Sequence, residues 1–481
     1  MKNNLLALAC YLLTTYSLDA QQWVVQKYSY DSILNVTYGS AINFNGGTDS
    51  LTMDIYLPQC DMQAQTTRRP LMLWIHGGAF LAGNKDESSI QSFCKSFAKR
   101  GYVTATINYR LGFISDDNLW QCNYPNYSCV FSGDSAEWVR AYYRSVQDAK
   151  GALRYLVNRH QQFRIDTSNI FVCGESAGAF TALGVGLMDT LIERPLETFA
   201  LPALPKPNTA TASCEFNLGK LFTSNTIARP DLGGIEGSIE PTSIKYQIKG
   251  IGNMYGGMLS NLLTYHNTTQ AKPAIYSFHQ PCDMVVPIDS NYVFWGLSWC
   301  FTNGYNCYGI QNNHAMLYGS RAISTWNTQQ SLGYSIQNEF TTTNFPYSFL
   351  FGQASCTDQV NNPCHAYDNR ALRENNLTNF FAPLVSTNPV CDTGAMATTF
   401  QVINDDDGYF VYPNPSHHIL YFKCLNTTKT LVKATLYSTT GKSIFTSKSD
   451  SMNISSLTAG IYILELIQSN GKRSIQKISV Q

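Results

Sequence analysis

The chain has 481 residues, enough for one large core with a smaller domain beside it. Its 33 Lys and Arg balance 33 Asp and Glu, which argues against the basic surface a nucleic-acid partner needs and gives no electrostatic hold on a membrane. Hydrophobic residues make up 44%, an ordinary globular share, and a large core with surface tyrosines accounts for the 29 Tyr and 25 Phe.

Residues 1–20 read as a secretory signal peptide. Lys2 gives a minimal positive region, Leu5 to Leu13 a short apolar run, and Ala20 a cleavage point. The run is too short to span a bilayer, and no second transmembrane candidate follows. Export favours disulfides, and the pairs nearest in sequence are Cys122–Cys129, Cys300–Cys307 and Cys356–Cys364. Removing Cys10 with the signal leaves an odd number of the 14 cysteines, so at least one thiol stays unpaired within the chain. Cys173, at the end of an apolar run, is the expected one.

Residues 21–403 read as the main domain. Leu51, Met53, Ile55 and Leu57 alternate on one face of a strand. Leu71 to Ile75 is a continuous apolar run, as in a strand buried on both faces. Ile90, Phe93, Cys94 and Phe97 form one helical stripe, and Tyr102 to Tyr109 is the next strand. Val146, Ala149, Leu153 and Leu156 share a helix face, Ile170 to Cys173 and Ala274 to His279 are further buried strands, and Leu372 to Phe381 is the last helix. This alternation predicts an α/β domain with a doubly wound, mostly parallel sheet. From residue 193 to 257 Pro195, Pro202, Pro205, Pro207 and Pro230 break the alternation, and the segment is expected as an insertion near the active site, at the sheet's C-terminal edge.

The run 404–408, Asn404-Asp405-Asp406-Asp407-Gly408, reads as a linker. Residues 409–481 are all-β in texture, with turns at Ser438-Thr439-Thr440-Gly441 and Ser469-Asn470-Gly471, and fit a small sandwich of about seven strands.

Gly174-Glu175-Ser176-Ala177-Gly178 follows a buried strand and precedes a helix, the setting of a nucleophile elbow. The turn needs small neighbours, and the helix N-terminus favours a developing anion. His76-Gly77-Gly78-Ala79-Phe80 follows the strand at Leu71 to Ile75. The N–H groups of Gly77 and Gly78, with that of Ala177, would form an oxyanion hole. His76 reads as a loop-ordering residue. A serine nucleophile needs a base, and the base an acid, in the chain order Ser, Asp, His. Asp283 follows the strand ending at His279; His314 and His365 both lie downstream, and His365, directly before the last helix, is preferred.

With Met53-Asp54-Ile55-Tyr56-Leu57-Pro58 and Asn108-Tyr109-Arg110-Leu111-Gly112, these motifs make residues from about Leu51 to Pro383 resemble the carboxylesterase and hormone-sensitive-lipase-like branch of the α/β-hydrolases. The resemblance implies a Ser-His-Asp esterase that needs no cofactor or metal, and export suggests small-molecule or polymer-linked esters as its substrates. Ala79 stands where the family often has Gly. Some relatives use Glu where Asp283 stands. A peptidase on the same fold and an esterase-like surface binding or adhesion protein are the alternatives. The tail resembles the type A sorting domain of the Bacteroidetes type IX secretion system, through Val411-Tyr412-Pro413-Asn414-Pro415, Gly441-Lys442 and Ile454 to Tyr462. That implies the type IX secretion machinery as a partner, with release from the cell or attachment to its surface. A carbohydrate-binding sandwich is the alternative for the tail.

Overall fold

The structure, a computed structural model, describes residues 23–59, 68–114, 135–205, 224–259, 262–264, 271–293, 315–341, 364–386, 409–412, 418–424, 431–438, 441–469 and 473–480. The signal segment 1–20, the linker 404–408, His314, Cys122, Cys129, Cys300, Cys307 and Cys356 lie outside the described residues. The chain divides into two compact units, Met1–Cys391 and Asp392–Gln481.

The first unit is built on strands β1 (Ser29–Ile42), β2 (Thr48–Gln59), β3 (Arg69–Ile75), β4 (Val103–Ile107), β5 (Ile165–Glu175), β6 (Ile248–Met254), β7 (Ala274–His279) and β8 (Ile336–Phe340). They form one sheet in the order β1-β2-β4-β3-β5-β6-β7-β8. The β1–β2 and β2–β4 pairs are antiparallel, and every pair from β4 to β8 is parallel. Helices α1 (Ser88–Lys99), α2 (Ser135–Asn158), α3 (Ala177–Leu187), α4 (Ser320–Gln329) and α5 (Arg370–Phe381) accompany it. This is the α/β domain with a mostly parallel sheet that the alternation predicts, and the fold that the resemblance to the α/β-hydrolases implies.

Strand β3 shows why the sheet is covered on both sides. All seven of its residues are buried. Leu71, Leu73 and Ile75 join the core under α2 and α3, while Met72 and Trp74 join the core under α1 and α5. Trp74 stacks on Phe93 of α1 with ring centroids 4.2 Å apart. Each large apolar side chain buried this way contributes on the order of 2 kcal/mol.

Two sheet strands escape a hydrophobic pattern. Strand β6 reads Ile-Lys-Gly-Ile-Gly-Asn-Met. A Cβ on Gly250 would lie 2.6 Å from Phe381 and 2.8 Å from Phe171, and one on Gly252 would lie 2.6 Å from Cys173 Sγ. Large neighbours therefore demand glycine where a strand would ordinarily carry Val or Ile. Strand β8, at the sheet edge, is half-exposed and correspondingly polar. The expected insertion at 193–257 thus ends early, because Ile248–Met254 is a central strand. Its described part is tied along α2. The carbonyls of Pro230, Leu232, Gly234, Glu236 and Ile239 accept from Arg140, Gln147 and Arg154 of that helix. The stretch 230–247, in neither strand nor helix, must find donors for its carbonyls, and the buried polar side chains of α2 supply them.

The other motifs hold the loops around the serine. Asp54 of β2 meets Lys85 at 3.0 Å with both side chains almost wholly buried. Lys85 N–H also donates to Asn108 Oδ1 at 2.8 Å, so the loop between β3 and α1 is pinned at its far end. Arg110 meets Asp148 of α2 at 2.7 Å, and its own N–H donates to the same carboxylate at 2.8 Å. Removing one partner of such a buried pair leaves an uncompensated charge, at a cost of about 3–5 kcal/mol.

The second unit contains, among the described residues, strands β9 (Tyr409–Tyr412), β10 (Ile419–Cys424), β11 (Leu431–Ser438), β12 (Ser443–Ser447), β13 (Ser451–Asn453), β14 (Gly460–Gln468) and β15 (Arg473–Val480). They form a sheet β9-β10-β13 and a sheet β12-β11-β14-β15. Val411, Leu420, Phe422 and Met452 from the first share one core with Leu436, Leu464, Leu466 and Ile478 from the second. Two sheets around a common core make the expected sandwich. Among the described residues, no helix of the protein is long and apolar enough to cross a membrane.

Candidate functional site

Strand β5 runs into α3 through Ser176, whose backbone sits at φ 53°, ψ −122°. That is strained for a residue with a Cβ, at a cost of about 1–3 kcal/mol. The turn is too tight for larger neighbours. A Cβ on Gly174 would lie 2.2 Å from the Gly178 carbonyl, and one on Gly178 would lie 2.1 Å from Ile75 O. Ser176 N–H donates to Met254 O at 3.0 Å, which ties the turn to β6. Ala177 opens α3, so its N–H has no acceptor within the helix and lies at the positive end of the helix dipole.

Loop residues after β3 pack against that turn. A Cβ on Gly77 would lie 3.1 Å from both Glu175 O and Ser176 Cβ. The Gly78 carbonyl accepts from Leu81 and Ala82 N–H at 2.9 and 3.0 Å, and its φ of 103° suits glycine. His76 is fully buried, its ring stacked on Tyr109 at 4.4 Å. Its Nδ1 lies 2.8 Å from the Gly77 carbonyl, which can only accept, so Nδ1 carries the proton. Burial pulls this imidazole down to about 4, so it stays neutral and orders the loop.

Ser176, His365 and Asp283 come together in one line. His365 Nε2 lies 2.8 Å from Ser176 Oγ, and His365 Nδ1 lies 2.7 Å from Asp283 Oδ2. The carboxylate can only accept, so Nδ1 donates to it and Nε2 is free to accept from the serine hydroxyl. Asp283 Oδ1 accepts from Val285 and Val286 N–H at 2.8 and 2.9 Å. Burial pushes the Asp283 carboxyl up, but His365 and His279 beside it outweigh burial and hold it below its ordinary value. It is therefore ionised at neutral pH.

Sequence reading missed a second histidine on the same acid. His279 Nε2 lies 3.3 Å from Asp283 Oδ2 and 2.9 Å from Val286 O. The carbonyl fixes the proton on Nε2, so Nδ1 accepts from Ser320 Oγ at 2.9 Å. Ser320 Oγ in turn accepts from Asn253 Nδ2 at 3.0 Å, and all three side chains are fully buried. The spacing of His279 four residues before Asp283 was the available signal. Glu175 is another such residue. It is buried beside the serine and accepts from Ser89 Oγ and Tyr367 Oη, each at 2.9 Å. Burial raises its carboxyl. Tyr255 sets its ring edge-on to His365 at 4.9 Å.

Cys364 pairs with Cys282, not with Cys356 as nearest-neighbour spacing suggests. The Cα atoms are 5.7 Å apart across 82 residues of sequence, so folding and not proximity along the chain chose the partner. Cys173 is unpaired and buried as expected, and Cys94 is too. Among the described residues, no group of three or more His, Cys, Asp or Glu is arranged to hold a metal ion.

Residues 53–118 and 135–209 match the BD-FAE family, and residues 410–481 match the secretion system C-terminal sorting domain. The chain's catalogued relatives are similar over part of its length. Gut esterase 1 of Caenorhabditis elegans is 29% identical over 28% of this chain and 20% of its own length. Fumonisin B1 esterase of Sphingopyxis macrogoltabida is 29% identical over 35% of this chain and 29% of its own length. Para-nitrobenzyl esterase of Bacillus subtilis is 26% identical over 38% and 36%. The match to these relatives thus spans between a fifth and about a third of their length.

Proposed function

We propose that the protein is an exported carboxylic-ester hydrolase working through an acyl-enzyme. The observation that carries this is the pair of hydrogen bonds on His365, 2.8 Å to Ser176 Oγ and 2.7 Å to Asp283 Oδ2. Ser176 attacks the ester carbonyl as Nε2 of His365 takes its proton. The same proton then passes to the leaving alcohol, and a water repeats the cycle to release the acid. Asp283 holds the imidazole in the required tautomer and stabilises its charged form. The N–H groups of Gly77, Gly78 and Ala177 receive the oxyanion. The tail, residues 410–481, serves passage through the type IX secretion machinery to the cell surface or beyond.

Export supports a substrate met outside the cell, and the proposed class is short acyl groups on small alcohols or on polysaccharides. Deacetylation of acetylated xylan faster than of a simple soluble ester supports the polymer, and equal rates leave the small ester. For the chemistry itself, Ser176→Ala is expected to cut hydrolysis of a short acyl aryl ester by about 10⁴- to 10⁶-fold in a folded protein. Full activity in that variant, or no labelling of the wild-type serine by a fluorophosphonate, overturns the reading. Faster cleavage of aminoacyl amides than of esters moves it to the peptidases.

A further inference from the structure

We infer that the Cys282–Cys364 disulfide is a positioning element of the active site, a covalent strut that sets the base against the acid. The inference rests on the triad reading above. Each cysteine immediately precedes a triad member, Cys282 before Asp283 and Cys364 before His365. One bond therefore joins the two loops at the residues next to their functional side chains.

The two loops differ in what else holds them. Asp283 follows β7 within four residues, and its carboxylate is gripped by two backbone N–H groups and His279. His365 lies in neither strand nor helix, five residues ahead of α5. Both hydrogen bonds of its ring go to other triad residues, so they cannot by themselves place its backbone. Among the described residues, Tyr367 two positions on donates to Glu175 at 2.9 Å, and the two ties nearest His365 both come from the turn that carries the acid. Gln280 Nε2 donates to Ala366 O at 2.8 Å, and Cys282 bonds Cys364.

The backbone at Cys364 supplies independent support. Its φ is 57°, the left-handed region, which costs a residue with a Cβ roughly 1–2 kcal/mol. Such a conformation persists only where the surroundings over-determine it, and it is this residue that aims the next one, His365, at the serine. Cys364 is 2% exposed and Cys282 half-buried, so the end of the strut that carries His365 belongs to the interior beside the site. Misplacing a catalytic group by about 1 Å costs on the order of 100-fold in rate. Freeing Cys364 permits a shift of that size, while the serine elbow and the glycine loop that meet the substrate stay as they are.

The test is the double variant Cys282→Ala/Cys364→Ala in the full chain, assayed on a short acyl aryl ester. kcat is expected to fall by about 10- to 100-fold with KM within twofold of wild type, in protein whose circular dichroism is unchanged. Wild-type kcat in the folded double variant overturns the inference, as does a loss of rate that only tracks the folded fraction. Should the variant fail to fold, native wild-type protein is treated with dithiothreitol. The reagent gives two electrons and two protons to the disulfide, yielding two thiols and its own cyclic disulfide. Alkylation and mass spectrometry then establish that Cys282 and Cys364 are reduced. A kcat drop that reverses on reoxidation supports the strut, and full activity with both thiols alkylated removes it. The esterase reading stands or falls separately: it fails when wild-type protein hydrolyses no ester, or when Ser176→Ala keeps the activity.

Discussion

Ser176 and His365 approach within 2.8 Å, yet the chain holds them by opposite means. Ser176 is set by regular structure, a strand buried from Asn169 to Glu175, a turn closed by Gly174 and Gly178 and a helix packed behind it. His365 is set by irregular chain, cross-tied to a neighbouring turn by a hydrogen bond and a disulfide and flanked by the rings of Tyr255 and Tyr367. An elbow built from a core cannot move without disturbing that core. A loop held by cross-ties can be displaced on its own. The first arrangement gives rigidity at the cost of tolerance to substitution, and the second separates catalytic geometry from global stability.

Four substitutions sharpen that contrast. Asp283→Asn keeps the shape but forfeits the charge and tautomer that the base depends on. kcat on an aryl ester is expected to fall by about 10³- to 10⁴-fold with the melting temperature nearly unchanged. Gly178→Ala strikes the other side. Its new carbon would lie 2.1 Å from Ile75 O, so β3 and α3 must part. A loss of about 3 kcal/mol in urea unfolding should accompany a roughly 100-fold fall in activity. If stability is untouched there, the elbow is not welded to the core.

His279→Gln probes the acid's second partner. A hydrogen bond to a charged group contributes about 1.5–3 kcal/mol, and this one, long and shared with a carbonyl, belongs at the low end. The expected result is a fall in kcat of about tenfold with KM unchanged. The smallest effect on activity concerns Arg373, which joins α5 to Asp368 and Glu339 just beyond His365. Hydrogen bonds from Arg373 pull the Asp368 carboxyl down to about 2. A depressed folded value means that its stabilisation is complete above the ordinary carboxylate range and is lost as pH falls through about 2. Arg373→Gln should therefore be less stable than wild type at pH 7, and the gap between their urea midpoints should narrow from about pH 4 towards pH 2. A constant gap would show that Asp368 is not what Arg373 stabilises.

How much of this is readable from residues depends on where each instruction is stored. Ser176 is legible because the small residues that its turn demands, Gly174, Ala177 and Gly178, stand within one pentapeptide, flanked by an apolar strand and a small-residue helix. Asp283 and His365 are legible only through chain order, and the structure brings both to the serine. His279, Ser320 and Asn253 are invisible as a group, since their contacts join positions far apart in sequence. Strand β6 is hidden because packing against Phe171, Phe381 and Cys173 selects glycine over the residues that announce a strand. The partner of Cys364 is misread for a related reason. Nearness along the chain favours Cys356, whereas the fold delivers Cys282.

Cys94 and Cys173 lie unpaired in the core on the α1 face of the sheet, and burial pushes both thiols well above their ordinary range. Disulfide exchange requires a thiolate with access to its target. Once the sheet has closed over them, these two thiols are silent. Collapse of the core thus acts as a sorting step for the cysteines: it retires the two that the strands and helices need as small apolar fillers. In an oxidising compartment both thiols therefore stay reduced for as long as the core around them stays closed.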